Sequence, residues 1–286
     1  MTDVALVTYQ HLPDLNPDDH PLRDALSALG AAPHAVRWDE PGVDWRRFDA
    51  VVLRSCWDYH QRLAEFRDWL GAVDRSGARL WNPADVVRWN LDKTYLRDLQ
   101  AAGIPVPDTV WLDAGAAPDL AGLLEARSWA RAVVKPRVSL SAHDTWVTVG
   151  ERVAADQDRF ARLVQTRGAL VQEFVPEVTA NGELSLIHVA GAFTHAVKKR
   201  AGPDDFRVQR QYGGSAEPVA ASAVALEGAR RALARVPGRW LYARVDGVEQ
   251  GGRFVVMELE VIEPELFLVW SSEAAQRFAQ AILALT

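Results

Sequence analysis

The chain has 286 residues, 49% hydrophobic and 24% charged, the balance of a soluble globular protein with room for two or three packed units. A formal net charge of −6 argues against nucleic acid or a membrane as partner, and no apolar run approaches the roughly 20 residues of a membrane span. With one cysteine, Cys56, an internal disulfide and a cysteine-based zinc site are excluded; the opening "MTDVALVTYQ" lacks a secretory pattern, so the expected location is cytoplasmic.

The first unit alternates strand and helix signals, which favours a parallel sheet. "DVALVTY" reads as a strand, and "PLRDALSALG" has helical spacing and stops at Gly30. "HAVRW" and "FDAVVLRS" are the next strands, "RLAEFRDWLGAVDRSG" is an amphipathic helix ending near Gly77, and "ARLWNP" closes the unit. A second unit begins with the helix "NLDKTYLRDLQAAG" and the extended linker "IPVPDTVWL". The strand "RAVVKPRV", the polar loop "SLSAHD", the strand "TWVTV", the helix "DQDRFARLVQT" and the strand "GALVQEFVP" follow. The third unit has strands "GELSLIHVAG" and "AFTHAVKKR", then a long polar loop from Ala201 to Pro218. The helix "SAVALEGARRALARV", the strands "YARVDGVE" and "RFVVMELEV" about a Gly-Gly turn, and the helix "SEAAQRFAQAILAL" complete it.

The last strand pair carries the strongest chemical signal. Side chains in a strand alternate faces, so Glu258 and Glu260 project from the same face, and a hairpin at Gly251–Gly252 brings Asp246 beside them. Buried together, the acids repel one another and need a cation. An oxygen-only donor set suits Mg2+. A solvated edge strand with scattered acids is the alternative, but the flanking Val255, Val256, Met257, Leu259 and Val261 indicate a buried strand. Lys135 ends the apolar run "AVVK" and suits a phosphate oxygen as a point charge, and Lys93 sits on the first turns of a predicted helix. Either lysine alone is more commonly a surface residue. The chain has no GxxxxGK[ST] loop, no GxGxxG after the first strand, no GxSxG and no HExxH. His143 falls in a loop, and His188 and His195 on strands suit core packing.

Five segments in order, "NLDKTYLRDLQAAGIPVPDT", "AVVKPRVSLSAHDTWV", "LVQEFVPEVTANGE", "DDFRVQRQYGGSAEPV" and "ARVDGV…FVVMELEV", resemble the motifs of the ATP-grasp superfamily of carboxylate–amine ligases over nearly the whole chain. The fourth is similar to the large loop of glutathione synthetases and ribosomal-protein glutamate ligases. The front of the chain, "LVTY…WDEPGVDWRRFDAVVLRSCWDY", resembles the subgroup of the cycloserine-forming cyclo-ligase, which acts on O-ureido-serine. The resemblance implies an α/β ATP-grasp fold, with a Rossmann-like parallel domain and two α+β subdomains clasping ATP. It places the N-terminal domain at residues 1–88, a lysine-bearing subdomain at 89–170 and a metal-binding subdomain at 171–286.

It also implies roles for residues. Lys93 and Lys135 match the phosphate-contacting lysines; Glu173, Phe174 and Val175 match the adenine hinge; and Glu183 matches the ribose acid. Arg207 matches the large-loop arginine near the transferring phosphate, Arg244 the arginine near the acyl-phosphate, and Asp246, Glu258 and Glu260 the ligands of Mg2+, with Mn2+ as an alternative. Two departures stand out. Glu260 replaces a common Asn, and the small loop "RVSLSAHDT" has no glycine, so Ser139, Ser141 and His143 side chains stand in as donors. The implied reaction activates a carboxylate as an acyl-phosphate that an amine attacks, with the Ala201–Pro218 loop as a lid and no role for Cys56 as a nucleophile. The implied partner is a small amino-acid-like molecule, and a homodimer is one option for assembly. Trp57, Asp58, Tyr59 and Glu263, by their place at strand C-termini, are candidates for a small polar-substrate pocket, with Trp57 and Tyr59 as caps of the sheet the alternative. The rival functions are a regulatory ATP-binding protein without catalysis and a small-molecule kinase.

Overall fold

The computed structural model describes residues 1–203 and 205–286. The run Val4–Val7 is fully buried, as a strand covered on both faces must be, and forms the heart of β1 (Asp3–Thr8). β1 pairs in parallel with β2 (Ala32–Arg37) and β3 (Ala50–Leu53), and β4 (Leu80–Trp81) joins β3, giving the order β2-β1-β3-β4. α1 (His20–Ala28) and α2 (Leu63–Ser76) make the first and third crossovers; α2 stops at Gly77, whose φ of 79° places it in the left-handed region glycine favours.

The helix expected over residues 90–103 starts late, as α4 (Tyr95–Ala101); α3 (Ala84–Asn90) precedes it, and Lys93 lies in the turn between the two. The break has a local cause. The Asp92 carboxylate accepts the Thr94 N–H at 2.9 Å and also holds the Arg137 guanidinium at 2.8 Å, stabilising a turn where propensity alone favours a helix.

The second sheet is antiparallel throughout, in the order β5-β8-β6-β7. It comprises β5 (Thr109–Leu112), β6 (Arg131–Pro136), β7 (Trp146–Val149) and β8 (Ala169–Glu173), backed by α5 (Leu120–Arg127) and α6 (Arg152–Arg167). After the short α7 (Glu177–Ala180) comes a five-stranded sheet, also antiparallel, in the order β11-β10-β9-β12-β13. Its strands are β9 (Glu183–Val189), β10 (Ala192–Arg200), β11 (Ser215–Val219), β12 (Tyr242–Gln250) and β13 (Arg253–Glu260). The expected loop to Pro218 is therefore too long: β11 begins at Ser215. Its sequence "SAEPV" has no apolar alternation, and its proline is tolerated because β11 is an edge strand. α8 (Ala223–Leu233) covers β12 and β13. There Phe254 slots between two glycines, since a Cβ at Gly228 or Gly247 would lie 2.5 Å from its side chain.

α9 (Ser272–Leu283) returns to the first sheet and packs on α1, where Leu22, Leu26, Phe278 and Ile282 share a core with Ile187 and Val189 of β9. A buried ion pair pins this junction. Arg54, 1% exposed, donates from Nε to Asp19 Oδ1 at 2.8 Å and from Nη2 to the Pro264 carbonyl at 2.8 Å. Ser55 donates to the other Asp19 oxygen at 2.8 Å. Among the described residues no helix is long and apolar enough to cross a membrane.

Removing one partner of a buried pair strands the other charge. Asp19→Ala is therefore expected to destabilise the protein by about 3–5 kcal/mol in urea unfolding, and a loss under about 1 kcal/mol would show that Arg54 finds another counter-charge.

Candidate active site

β13 is an edge strand, and its free edge is held by groups from the α3–α4 region. Val256 N–H donates to the Pro105 carbonyl at 2.8 Å and Leu259 N–H to the Tyr95 hydroxyl at 3.1 Å. Asn90 acts like one more residue of strand, donating to the Leu259 carbonyl at 2.8 Å and accepting from Val261 N–H at 2.9 Å. On the inner edge the register shifts at a bulge: Asp246 faces Glu258, but Gly247 faces Val256. Directly opposed residues share a face, so Asp246 meets Glu258, Arg244 meets Glu260, and all four side chains converge. One oxygen from each of Asp246, Glu258 and Glu260 lies within 4.8 Å of the others.

Three cations neutralise this cluster. Lys93 Nζ reaches Glu258 at 2.5 Å and the Ser139 carbonyl at 3.2 Å. Lys199 Nζ bridges Glu183 at 2.6 Å and Asp246 at 2.8 Å. Arg244 pairs with Asp246 at 3.0 Å and Glu260 at 2.6 Å, and its third arm donates to the Glu265 carbonyl at 2.9 Å. Burial works against every charge here, and the partners decide each outcome. Arg244 and Lys199 hold the Asp246 carboxyl well below the usual range, and Lys93 with Lys135 lowers Glu258. Glu260 is pushed up to about 7 by burial and by Glu258 and Asp246, in spite of Arg244.

Lys135, on β6 of the second sheet, faces the same cleft and has no ion-pair partner among the described residues. Burial holds its ammonium down to about 8, with Lys93 adding and Glu258 opposing. The cleft between the two antiparallel sheets and the first sheet measures about 750 Å³. Phe174 and Val175 line it, but Glu173, at the end of β8, is exposed and lies outside its lining.

Ser141 and His143 line the cleft on the small loop, where Ser141, Ala142 and Asp144 adopt φ values of 51–55°. The loop thus takes the left-handed turns without glycine, at a cost on the order of 1–2 kcal/mol per residue. The His143 ring packs against His60, with centroids 5.2 Å apart. Arg207 also lines the cleft, paired with Asp205 at 2.6 Å and lying 3.4 Å over the Tyr212 ring. Gln211 of the same segment donates to the Ser141 carbonyl at 3.3 Å, so the large and small loops already touch. Trp57, Tyr59 and Glu263 face the cleft; Asp58 does not, because it accepts the Trp38 indole N–H at 2.8 Å. Cys56 is fully buried and donates to the Val7 carbonyl at 3.3 Å, away from the cleft.

Comparison with known proteins places this arrangement. An N-terminal-domain model described as D-cycloserine synthetase DcsG matches residues 4–82. The cycloserine biosynthesis protein DcsG of Streptomyces lavendulae is 35% identical over 98% of this chain and 97% of its own length. The chain belongs to the DcsG family. A crystal structure of D-cycloserine synthetase DcsG superposes with a TM-score of 0.90 at 32% identity, covering 99% of this chain and all of the other. More distant structures share the fold. A RimK-domain ATP-grasp protein from Sphaerobacter thermophilus has a TM-score of 0.73 at 19% identity, covering 99% of this chain and all of the other. A D-alanine–D-alanine ligase from Bacillus anthracis has a TM-score of 0.71 at 14% identity, covering all of this chain and 97% of the other. As an ATP-grasp member of the DcsG family, the chain is an ATP-dependent ligase of the carbon–nitrogen bond-forming type.

The donor set of this DcsG-family site is all oxygen, which fits a hard divalent cation. Both Asp246 oxygens are already engaged by Arg244, Lys199 and the Ser185 hydroxyl, so Glu258 and Glu260 are the more available donors. Two residues that shape the cleft, Lys199 and Asn90, carry no sequence motif. Lys199 shares the inward face of β10 with the buried Val197, and that alternation was the available signal. Asn90 works through backbone hydrogen bonds to a strand distant in sequence, which no motif encodes.

Phosphate oxygens bind an ammonium and not a neutral amine, so a phosphate role for Lys135 carries a pH signature. Mg·ATP affinity measured by calorimetry is therefore expected to fall as pH rises through about 8. In Lys135→Met it should be weaker and flat across that range; an unchanged pH profile in the variant would remove Lys135 from phosphate binding.

Proposed function

We propose that the chain uses ATP and Mg2+ to activate the carboxylate of an amino-acid-like substrate and closes it onto a nitrogen of the same molecule, an O-ureido-serine-type cyclisation leading to a cycloserine ring. The observation that carries this reading is the gathering, in one cleft, of Lys93 and Lys135 with the Asp246–Glu258–Glu260 cluster. The cleft volume suits a nucleotide and a small substrate together. The 35% identity to DcsG over nearly the whole chain supports the choice of substrate class.

In this reading Phe174 and Val175 pack against adenine, with the Glu173 backbone at the hinge, and Glu183 accepts from the ribose. Lys93, Lys135 and the Ser141 loop hold the phosphates. Glu258, Glu260 and Asp246 would hold Mg2+, which would supply positive charge to offset the negative charge of the phosphate oxygens. The substrate carboxylate oxygen attacks the γ-phosphorus and ADP leaves; the O-bound nitrogen of the ureido group then attacks the acyl carbon, its proton is lost and phosphate leaves. This gives a ring whose nitrogen still carries the carbamoyl group, and water attacks that carbamoyl to release it as carbamate, which falls to carbon dioxide and ammonia. Positioning and electrostatics dominate phosphoryl transfer, so no protein nucleophile is required, in keeping with a buried Cys56. Arg207 leaves Asp205 to meet the transferring phosphate, and Arg244 stands by the acyl oxygen. The segment from Ala201 to Gly214 shields the acyl-phosphate from water.

Two variants test the reading through ADP release with O-ureido-serine. Glu258→Gln keeps the side-chain size but loses the charge that holds the metal, so turnover should vanish with the fold intact; retention of most activity at saturating Mg2+ would refute the metal assignment. Arg207→Ala should bind ATP nearly as wild type and turn over at least ~100-fold more slowly, as for a donor used mainly in the transition state. An equal loss of ATP affinity would mean that Arg207 already grips the ground state.

A further inference from the structure

Most charged side chains lining the cleft are spent on one another. Lys93 goes to Glu258, Lys199 to Glu183 and Asp246, and Arg244 to Asp246 and Glu260. Asp18 accepts the backbone N–H groups of Leu266 and Val269 at 3.1 and 3.2 Å. Glu263 is different. It is 3% exposed, lines the cleft, and its Oε2 is buried without a hydrogen-bond partner. Among the described residues it is the one acid lining the cleft with such an oxygen.

The groups around Glu263 do not supply a counter-charge. Arg54, the guanidinium behind it, is committed to Asp19 and to the Pro264 carbonyl. Lys93 is held by Glu258, and Tyr59, Cys56 and Tyr242 are neutral at ordinary pH because burial raises each of them. Glu260 is close enough to repel it. Burial and that repulsion push the Glu263 carboxyl well above the usual range. The position is also fixed, since the Trp57 indole N–H donates to the Glu263 carbonyl at 3.0 Å. A rigid, enclosed acid with a free oxygen in a ligand cleft lacks a cation, and a ligand can bring one.

We propose that Glu263, with the Tyr59 hydroxyl facing its carboxyl, binds the α-ammonium group of the substrate and makes the site selective for amino acids over des-amino acids. Glu263 lies three residues past Glu260 on the segment leaving β13, beside the acids assigned to the metal and the reacting carboxylate. An α-amino acid carries its ammonium one carbon from that carboxylate, so the two charges of the ligand match two neighbouring acidic features. When the ammonium arrives, it provides the missing counter-charge. The inference rests on the reading above that this cleft takes an amino-acid-like substrate.

The test compares O-ureido-serine with 3-(ureidooxy)propanoate, which lacks only the ammonium group. Binding is measured by calorimetry in the presence of Mg2+ and a non-hydrolysable ATP analogue, and turnover by ADP release with Mg·ATP. Glu263→Gln should weaken binding and raise KM for O-ureido-serine by roughly 10- to 100-fold, the range for a lost hydrogen bond to a charged group. It should leave binding of 3-(ureidooxy)propanoate, nucleotide affinity and melting temperature near wild type, and Glu263→Asp should recover part of the loss. Equal weakening of both ligands, or no weakening for O-ureido-serine, overturns the ammonium site. Wild type that binds O-ureido-serine through Glu263 but releases no ADP supports the site and overturns the proposed reaction. Wild type that neither binds it nor turns it over overturns both.

Discussion

Like charges crowded in a low-dielectric cleft are the constraint on which the rest of this structure depends. Asp246, Glu258 and Glu260 bring oxygens within 4.8 Å of one another, and burial strengthens their repulsion. The protein answers with cations drawn from three places: Lys93 from the α3–α4 turn, Lys199 from β10 and Arg244 from β12. Lys93 fastens the α3–α4 turn to β13, Lys199 fastens β10 to β9 and β12, and Arg244 fastens β12 to β13. Charge neutralisation and tertiary organisation are therefore one arrangement. The ligase of the proposed reading starts from internal ion pairs, and nucleotide and metal binding rearrange them instead of filling an uncompensated hole.

Placement of the acids depends on groups with no chemistry of their own. β13 has an open edge, and open edges invite slippage or pairing with other chains. Asn90, Tyr95 and Pro105 close it, and Asn82 grips the carbonyls of Tyr242 and Val261 at 2.9 and 2.6 Å. A one-residue slip would turn Glu258 and Glu260 to the opposite face. These amides hold the register at the point where it matters most.

What could be read in the sequence was what depends on short-range pattern. Apolar runs such as "DVALVT" gave strands, and the spacing of Glu258 and Glu260 about a glycine turn gave the carboxylate face, with Lys135 at the end of its own strand. Other features were settled by partners distant along the chain. Arg137 and Asp92 hold a turn where propensities favour the start of a helix, so α4 begins only at Tyr95. β11 exists because β10 offers it an edge, not because "SAEPV" favours a strand. Asp58 turns away from the cleft because folding brings Trp38 to it, and the small loop adopts left-handed backbone at Ser141, Ala142 and Asp144, where glycine would be expected. In each case a tertiary contact outweighs local preference.

The return of α9 to α1 bears on how the molecule is made. During synthesis the residues of β1 to β4 precede those of α9 and can pair, yet the core around Leu22 and Leu26 of α1 stays only partly covered until Phe278 and Ile282 arrive. The Arg54 guanidinium likewise waits for the Pro264 carbonyl. A nascent chain on the ribosome thus holds its first sheet as an unfinished intermediate with an open apolar flank, the kind of surface that chaperones bind. The acids of β13 are translated before that flank is covered, so a polypeptide released early carries the residues of the cleft without the packing that would set them against one another.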